Sequence, residues 1–286
     1  MRHRHRSSYF FLCFTVACTA STVQRPGRPI PIPSLPSPVP LPPSGASWTF
    51  SYAPGPLSYQ VLRNATIESL DSGSRREIST NVTHESVDLE SAGDTIHFTA
   101  IVDIFSTVTQ GAIGPVQPVQ LPVQILGSFV SDSLIFSNDS TTGKCSPVSS
   151  ALSADLHNLL IRFPSQLSQA SRWRDSLELT SCQGMIPTTA QIVRTFLVSG
   201  ETQYEGSPVL VIQRTDTIRA HGEGAQQQHR VTMDANGTGT ATYYLSTRDG
   251  RIVRLNSGQD LNLVIGASGS VHRFKQQSKQ DFSYKR

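Results

Sequence analysis

The sequence predicts an all-β fold: long antiparallel strands forming an open or flattened barrel, with one packed helix. Three observations carry the prediction. Apolar residues recur with a period of two from Trp48 onward, turn residues fall at hairpin spacings, and one run alone has a helical period.

The alternation is plainest in three stretches. Trp48, Phe50 and Tyr52 alternate with Thr49 and Ser51. Leu57, Tyr59, Val61, Ala65 and Ile67 share one face, against Ser58, Gln60, Asn64, Thr66 and Glu68. Ile96, Phe98, Ala100, Val102 and Ile104 do the same against His97, Thr99 and Asp103. Strands with one buried and one wet face suit an antiparallel sheet, because parallel sheets are covered on both faces. Turns are expected at Asp71-Ser72-Gly73, Ser91-Ala92-Gly93-Asp94, Ser199-Gly200, Glu205-Gly206, Asn236-Gly237 and Asp249-Gly250. This punctuation gives about eleven to thirteen strands.

Two segments break the pattern. Gly111 to Pro122 holds three prolines and no charge, and reads as a loop. Ser150 to Phe163 reads as a helix: Leu152, Leu156, Leu159 and Leu160 share a face, and Pro164 stops it.

Ahead of this body lies an address. Residues 1–17 read as a signal peptide, with three Arg before an apolar core from Tyr9 to Ala17 that is too short to span a bilayer. Thr15-Val16-Ala17-Cys18 resembles a lipobox, which makes Cys18 the lipidation site and 18–45 a lipidated tether. Cleavage after Ala20 is the other reading of the same residues. Nine prolines between Pro26 and Pro43 forbid a helix or central strand. They favour a polyproline spacer of roughly 50 Å. Residues 46–286 then form a single antiparallel β domain, with its helix near 150–163.

Charge narrows the partners. The chain carries 24 Lys and Arg against 21 Asp and Glu, but five Arg and no carboxylate lie in residues 1–45. The body therefore has a net charge of −2, with no electrostatic footprint for nucleic acid.

Of the four cysteines, Cys13 leaves with the signal and Cys18 is the candidate anchor. Cys145 and Cys182 remain, and an even pair in an exported domain reads as a disulfide. Closing a loop of 37 residues contributes about 4 kcal/mol in the chain-entropy model. Neither has a second Cys or a His at metal-ligand spacing, and no metal or other cofactor is expected.

No catalytic motif stands out. His84, His97, His157, His221, His229 and His272 are scattered, although His221 and His229 flank an expected hairpin tip from Gly222 to Gln228. There is no Gly-x-Ser-x-Gly elbow. Gly222-Glu223-Gly224 and Gly237-Thr238-Gly239 are too short, and too strand-bound, to cradle phosphate. The expectation is that the chain is not an enzyme.

From Phe163 onward the chain resembles a group of uncharacterised bacterial lipoprotein domains. The resemblance rests on Phe163-Pro164 after a helix, Trp173 about ten residues on, and Tyr204-Glu205-Gly206 before Gly-rich hairpins. The whole layout is similar to open-barrel periplasmic lipoproteins of the LolA and LppX type. That resemblance implies an unclosed barrel wrapped around helices, with an apolar cavity for acyl chains. No functional residue carries over from it.

These observations imply an exported protein of the bacterial cell envelope, at the outer membrane facing the periplasm or at the cell surface. It would be held to the membrane by a lipid anchor. Its concave sheet face would bind an apolar, lipid-like ligand or a partner protein, with Leu152, Leu156, Leu159 and Leu160 as a lid. The alternative is a structural or interaction lipoprotein with a filled core, in which those leucines are ordinary core. Non-reducing peptide mapping of native protein is expected to recover Cys145 and Cys182 as one linked pair, and two free thiols would refute the pairing.

Overall fold

The computed structural model describes residues 45, 47–49, 52–71, 75–111, 119–130, 133–139, 146–164, 166–183, 186–226, 229–267 and 269–285. The strands come in two runs. The first is β1 (Ser47–Trp48), β2 (Gly55–Ser69), β3 (Arg76–Ala92), β4 (Thr95–Gln110), β5 (Val123–Val130) and β6 (Ser133–Asp139). One helix, α1 (Pro147–Leu159), follows. The second run is β7 (Leu167–Ser168), β8 (Arg172–Gln183), β9 (Ile186–Tyr204), β10 (Ser207–Gln226), β11 (His229–Ser246), β12 (Ile252–Ala267) and β13 (Ser270–Lys285).

Eleven of these strands form one antiparallel sheet in the order β6-β5-β4-β3-β2-β13-β12-β11-β10-β9-β8, curled into a half-barrel. It is two meanders joined where β13 pairs with β2, from Phe274 opposite Ser69 to Lys285 opposite Ser58. The expected fold class is therefore what the chain adopts. β1 and β7 make a separate two-stranded patch, with Trp48 opposite Leu167. The expected first strand is thus shorter than its alternation suggested: Tyr52 lies outside any strand, and Phe50 lies outside the described residues.

Inner-face positions follow the alternation closely on β2, where Leu57, Tyr59, Val61 and Ile67 are buried. On β4 the phase slips. His84 stands opposite Ile104 but Glu85 stands opposite Val102, so Asp103 is an extra residue on that strand. Such a bulge reverses the facing of everything beyond it. Ile104, expected inside, is accordingly 57% exposed, and Phe105 packs on the core in its place.

The turns at Ser91–Asp94, Glu205-Gly206 and Asp249-Gly250 join strands as expected. Two other expected turns do not. Asn236-Gly237 lies mid-strand in β11, and Ser199-Gly200 lies within β9 at a register shift against β10. Gly200 there has φ of 135°, a conformation that glycine adopts without strain. Glycine in these strands marks close packing or a bulge, as well as turns. A Cβ on Gly239, for instance, would lie 2.8 Å from the Asp216 carboxylate.

The helix starts and ends earlier than Ser150 to Phe163. Ser146 caps it, its Oγ accepting from Ser149 N–H at 3.3 Å, and Pro147 occupies the first turn, where a missing N–H costs nothing. At the other end the buried Tyr52 hydroxyl accepts from Ile161 N–H at 2.6 Å, ending the helix before Pro164 is reached. Burial holds the Tyr52 phenol well above its ordinary range, so the hydroxyl stays protonated.

α1 connects β6 to β8, the two outermost strands of the sheet. It packs against β8 on one side and against β5 and β4 on the other. Val148, Leu152, Leu156 and Leu159 are buried in the main core with Tyr59, Phe196, Tyr243 and Phe282. A second core, with Ile67, Met233, Ile265 and Phe274, fills the other half of the inner face.

Between the two cores runs a belt of buried charge. Arg63, Arg194 and Arg214 are 8%, 7% and 4% exposed. Arg63 donates to Glu85 at 2.7 Å and to Thr83 at 2.7 Å, and also pairs with Asp155 of α1. Arg194 forks onto Asp175 at 2.7 and 2.6 Å and donates to the His157 carbonyl at 2.7 Å. Arg214 pairs with Asp216 and donates to Asn158 Oδ1 at 2.9 Å and to the Tyr243 hydroxyl. Each arginine thus ties one strand to the helix. Arg63→Met is expected to lower stability by about 3–5 kcal/mol, because it strands two buried carboxylates. A urea unfolding curve checks this, and a loss below about 1 kcal/mol would contradict the assigned pairing.

Candidate functional site

Leu152, Leu156, Leu159 and Leu160, expected as a lid, are 0%, 0%, 4% and 3% exposed. The space beside them, between the end of α1 and the inner faces of β2 and β3, is about 10 Å³. That is about the least that admits one water, and a drug-sized ligand needs about 300–1,000 Å³. The arginine ties and the Tyr52 cap hold the helix in that position. Among the described residues, the inner face beside Leu159 and Leu160 is therefore packed.

A concavity with a volume of about 790 Å³ lies on the outer face. Register places it at one end of the sheet, where the β9–β10 and β11–β12 hairpins meet the last residues of β13. β2 begins at this same end. Tyr204, Val209 and Val253 form apolar wall, while Arg248, Arg251, Arg254 and Lys285 supply positive charge. Glu205 and Asp249 stand on the two hairpin turns.

The inward arginines of this groove are fixed. Arg254 is 6% exposed and donates to Asp281 at 2.5 Å. Arg251 donates to the Tyr284 hydroxyl at 3.0 Å, with its guanidinium 6.0 Å from that ring. Tyr204 and Tyr244 pack at 5.7 Å between centroids. A rigid guanidinium fork loses little entropy when it binds an anionic oxygen.

A second constellation also went unread in the sequence. On the outer face of β2, β3 and β4, Ser58 Oγ lies 2.8 Å from His84 Nε2, and His84 Nδ1 lies 2.6 Å from Asp103 Oδ1. The order serine, histidine, carboxylate is that of a nucleophilic triad. Two parts of such a site are wanting. The backbone around Ser58 is paired in the ladders to β3 and β13, leaving no N–H pair for an oxyanion. The Asp103 side chain is half exposed, where water weakens its hold on an imidazolium. The three residues form a cross-strand polar ladder, with Asp103 brought in by the bulge.

His221 and His229 flank a shorter hairpin tip than the expected Gly222 to Gln228. β10 continues through Gly222 and Gly224 to Gln226, so His221 stands opposite Asp234, not His229. Its Nδ1 lies 2.8 Å from Asp234 Oδ1, and this hydrogen bond raises its pKa. Arg230 holds the neighbouring Glu223 carboxyl below its ordinary range. Among the described residues no group of three metal-ligating side chains comes together, and no helix is long and apolar enough to cross a membrane.

Cys18 lies outside the described residues, as does Cys145. Cys182 lies near the end of β8, where its N–H donates to Ser150 Oγ of α1 at 3.0 Å. The helix that follows Cys145 in sequence is thus in contact with Cys182. The groove could be read only in part: Tyr204-Glu205-Gly206 and Asp249-Gly250 are visible as turns. That Lys285 and Arg254 join them is a consequence of strand register.

No family model matches the chain, and no curated protein matches it. Among solved structures it is similar to OmpT, an outer membrane protein of Vibrio cholerae in its in-vitro folded trimer form. That match has 8% identity and a TM-score of 0.21, and covers 82% of this chain and all of the other. A likeness at that level carries no argument about function.

One buried group gives this region a pH signature. Burial, with Arg194 nearby, lowers the His157 pKa to about 4, from about 6.5 in an unfolded chain. The folded protein keeps this imidazole neutral while the unfolded chain takes up a proton. Stability is therefore lost as pH falls from about 6.5 toward about 4, by at most ~3 kcal/mol from this residue. His157→Gln is expected to flatten that part of the stability profile relative to the parent, and unchanged steepness would contradict the assignment.

Proposed function

We propose that this chain is an envelope-anchored interaction module, tethered through Cys18 and recognising its partner on the outer face of a filled half-barrel. One observation carries the choice against a lipid-binding cavity. The four helix leucines are buried, with about 10 Å³ left beside Leu159 and Leu160. An acyl chain would have to displace α1 and break its three arginine contacts. A partner at the outer groove displaces nothing.

The anchoring half of the proposal is supported by the apolar leader, the Thr15-Val16-Ala17-Cys18 run and the proline-rich spacer. A spacer of that stiffness serves a module that works at some distance from a surface.

Two readouts on the full-length protein test the proposal. Cys18→Ala is expected to move the protein from the membrane to the soluble envelope fraction. Hydrogen exchange is expected to show Leu152 to Leu159 as slow as β2 and β11, because a core helix opens only with global unfolding. Unchanged membrane association would sink the anchor. Early exchange of the helix, with protection gained on adding lipid, would restore the cavity reading.

A further inference from the structure

We propose that the outer-face groove is an anion site that receives a phosphate group carried on a small organic body. The inference deepens the proposed function, resting on its placement of recognition outside the filled core.

The sign of the groove comes first. Four cationic side chains line it against Glu205 and Asp249, with Asp281 paired to Arg254 behind them, within a body of residues 46–286 whose net charge is −2. Positive charge is concentrated here against the average of the domain. A concave wall focuses such a field and raises the local concentration of anions.

The donors also differ in a useful way. Arg251 and Arg254 form a fixed floor through Tyr284 and Asp281. Arg248 and Lys285 are exposed at the mouth, and neither has a carboxylate partner among the described residues. Asp249 forms an ion pair with Arg251 at 3.7 Å from Nε, too long for a hydrogen bond, so that N–H is left without an acceptor. A phosphate at the mouth would therefore find two uncommitted cations over two preset ones. Exposed cations above a floor of fixed guanidinium forks can meet phosphate oxygens through charge-assisted hydrogen bonds.

Size and wall chemistry describe the rest of the ligand. A bare anion would leave most of the 790 Å³ unfilled. Tyr204, Val209 and Val253 provide apolar wall for an organic portion. Glu205 and Asp249 at the rim disfavour an extended polyanion. A single phosphate ester meets these conditions, either as a soluble molecule or as the headgroup of a lipid.

The test uses full-length protein carrying Cys18→Ala, so that no acyl chain contributes. Glycerol phosphate is titrated calorimetrically, with glycerol as the uncharged control. Vesicles of phosphatidylcholine, with and without phosphatidylglycerol, are tested by flotation. Glycerol phosphate or the phosphatidylglycerol vesicles are expected to bind, and the neutral probes are not. Arg248→Gln with Lys285→Gln, both exposed and cheap for folding, should weaken binding by about tenfold or more through loss of two charge-assisted contacts. Arg76→Gln with Arg219→Gln removes the same charge elsewhere and should leave affinity unchanged.

Binding to glycerol phosphate alone makes the ligand a soluble ester, and flotation that depends on the groove pair makes it a headgroup; either upholds the site. No binding to either probe, or equal loss in both variant pairs, overturns it. These results do not depend on the anchor, because the assay omits it. A lipid found within the core would defeat the filled-core reading and leave the groove result standing.

Discussion

The architecture depends on one connection. β6 and β8 are the two edges of an eleven-stranded sheet, yet a single helix of thirteen residues lies between them and packs against both flanks. A helix of that length is only ~20 Å long. A flat sheet of eleven strands would put its edges ~47 Å apart or more, at ~4.7 Å per strand spacing. The edges can meet one helix only if the sheet curls. Curling creates an enclosed inner face, and the helix fills the half of it that the strands alone leave open.

That geometry explains why charge is buried where it is. Two apolar cores need no particular helix register, since leucines on a smooth inner face can slide by a turn at modest cost. The three arginines remove that freedom. Each reaches a different point of α1: the Asp155 side chain, the His157 carbonyl and the Asn158 amide. Buried ion pairs add little net stability, because desolvation offsets most of the attraction. We read the belt as a register device, with the cores providing most of the stabilisation.

What could be read from sequence follows from how local each determinant is. Strand alternation depends on neighbouring residues, so Leu57, Tyr59, Val61 and Ile67 were assigned correctly. Arg63 belongs to neither face in a reading by apolar residues alone, although unbroken alternation puts it inside. Its acceptors, Glu85 and Asp155, arrive from another strand and from the helix, which a period count along one strand cannot see. Ile104 failed for a related reason: the bulge at Asp103 is a property of the β3–β4 pairing. The helix was found, but its boundaries were not, since the Tyr52 cap comes from more than a hundred residues away. Pro147 behind Ser146 was a local start signal that was available and unused.

The same distinction bears on where recognition can evolve in such a fold. Inner-face residues of this half-barrel are committed twice, to the sheet and to the helix, so a change there must satisfy both. On the outer face, His84 and Asp103 near the middle of β3 and β4 are committed to a cross-strand ladder that reaches Ser58 of β2. At the strand ends, hairpin tips from distant parts of the chain stand side by side, away from the helix. Tyr204 from the β9–β10 hairpin, Arg248 from the β11–β12 hairpin and Lys285 at the end of β13 meet under those conditions. The rigid part of the site, Arg251 and Arg254, sits on the strands behind them. Function in this protein is therefore best sought at that end of the sheet, where loop freedom is set against a floor that cannot move.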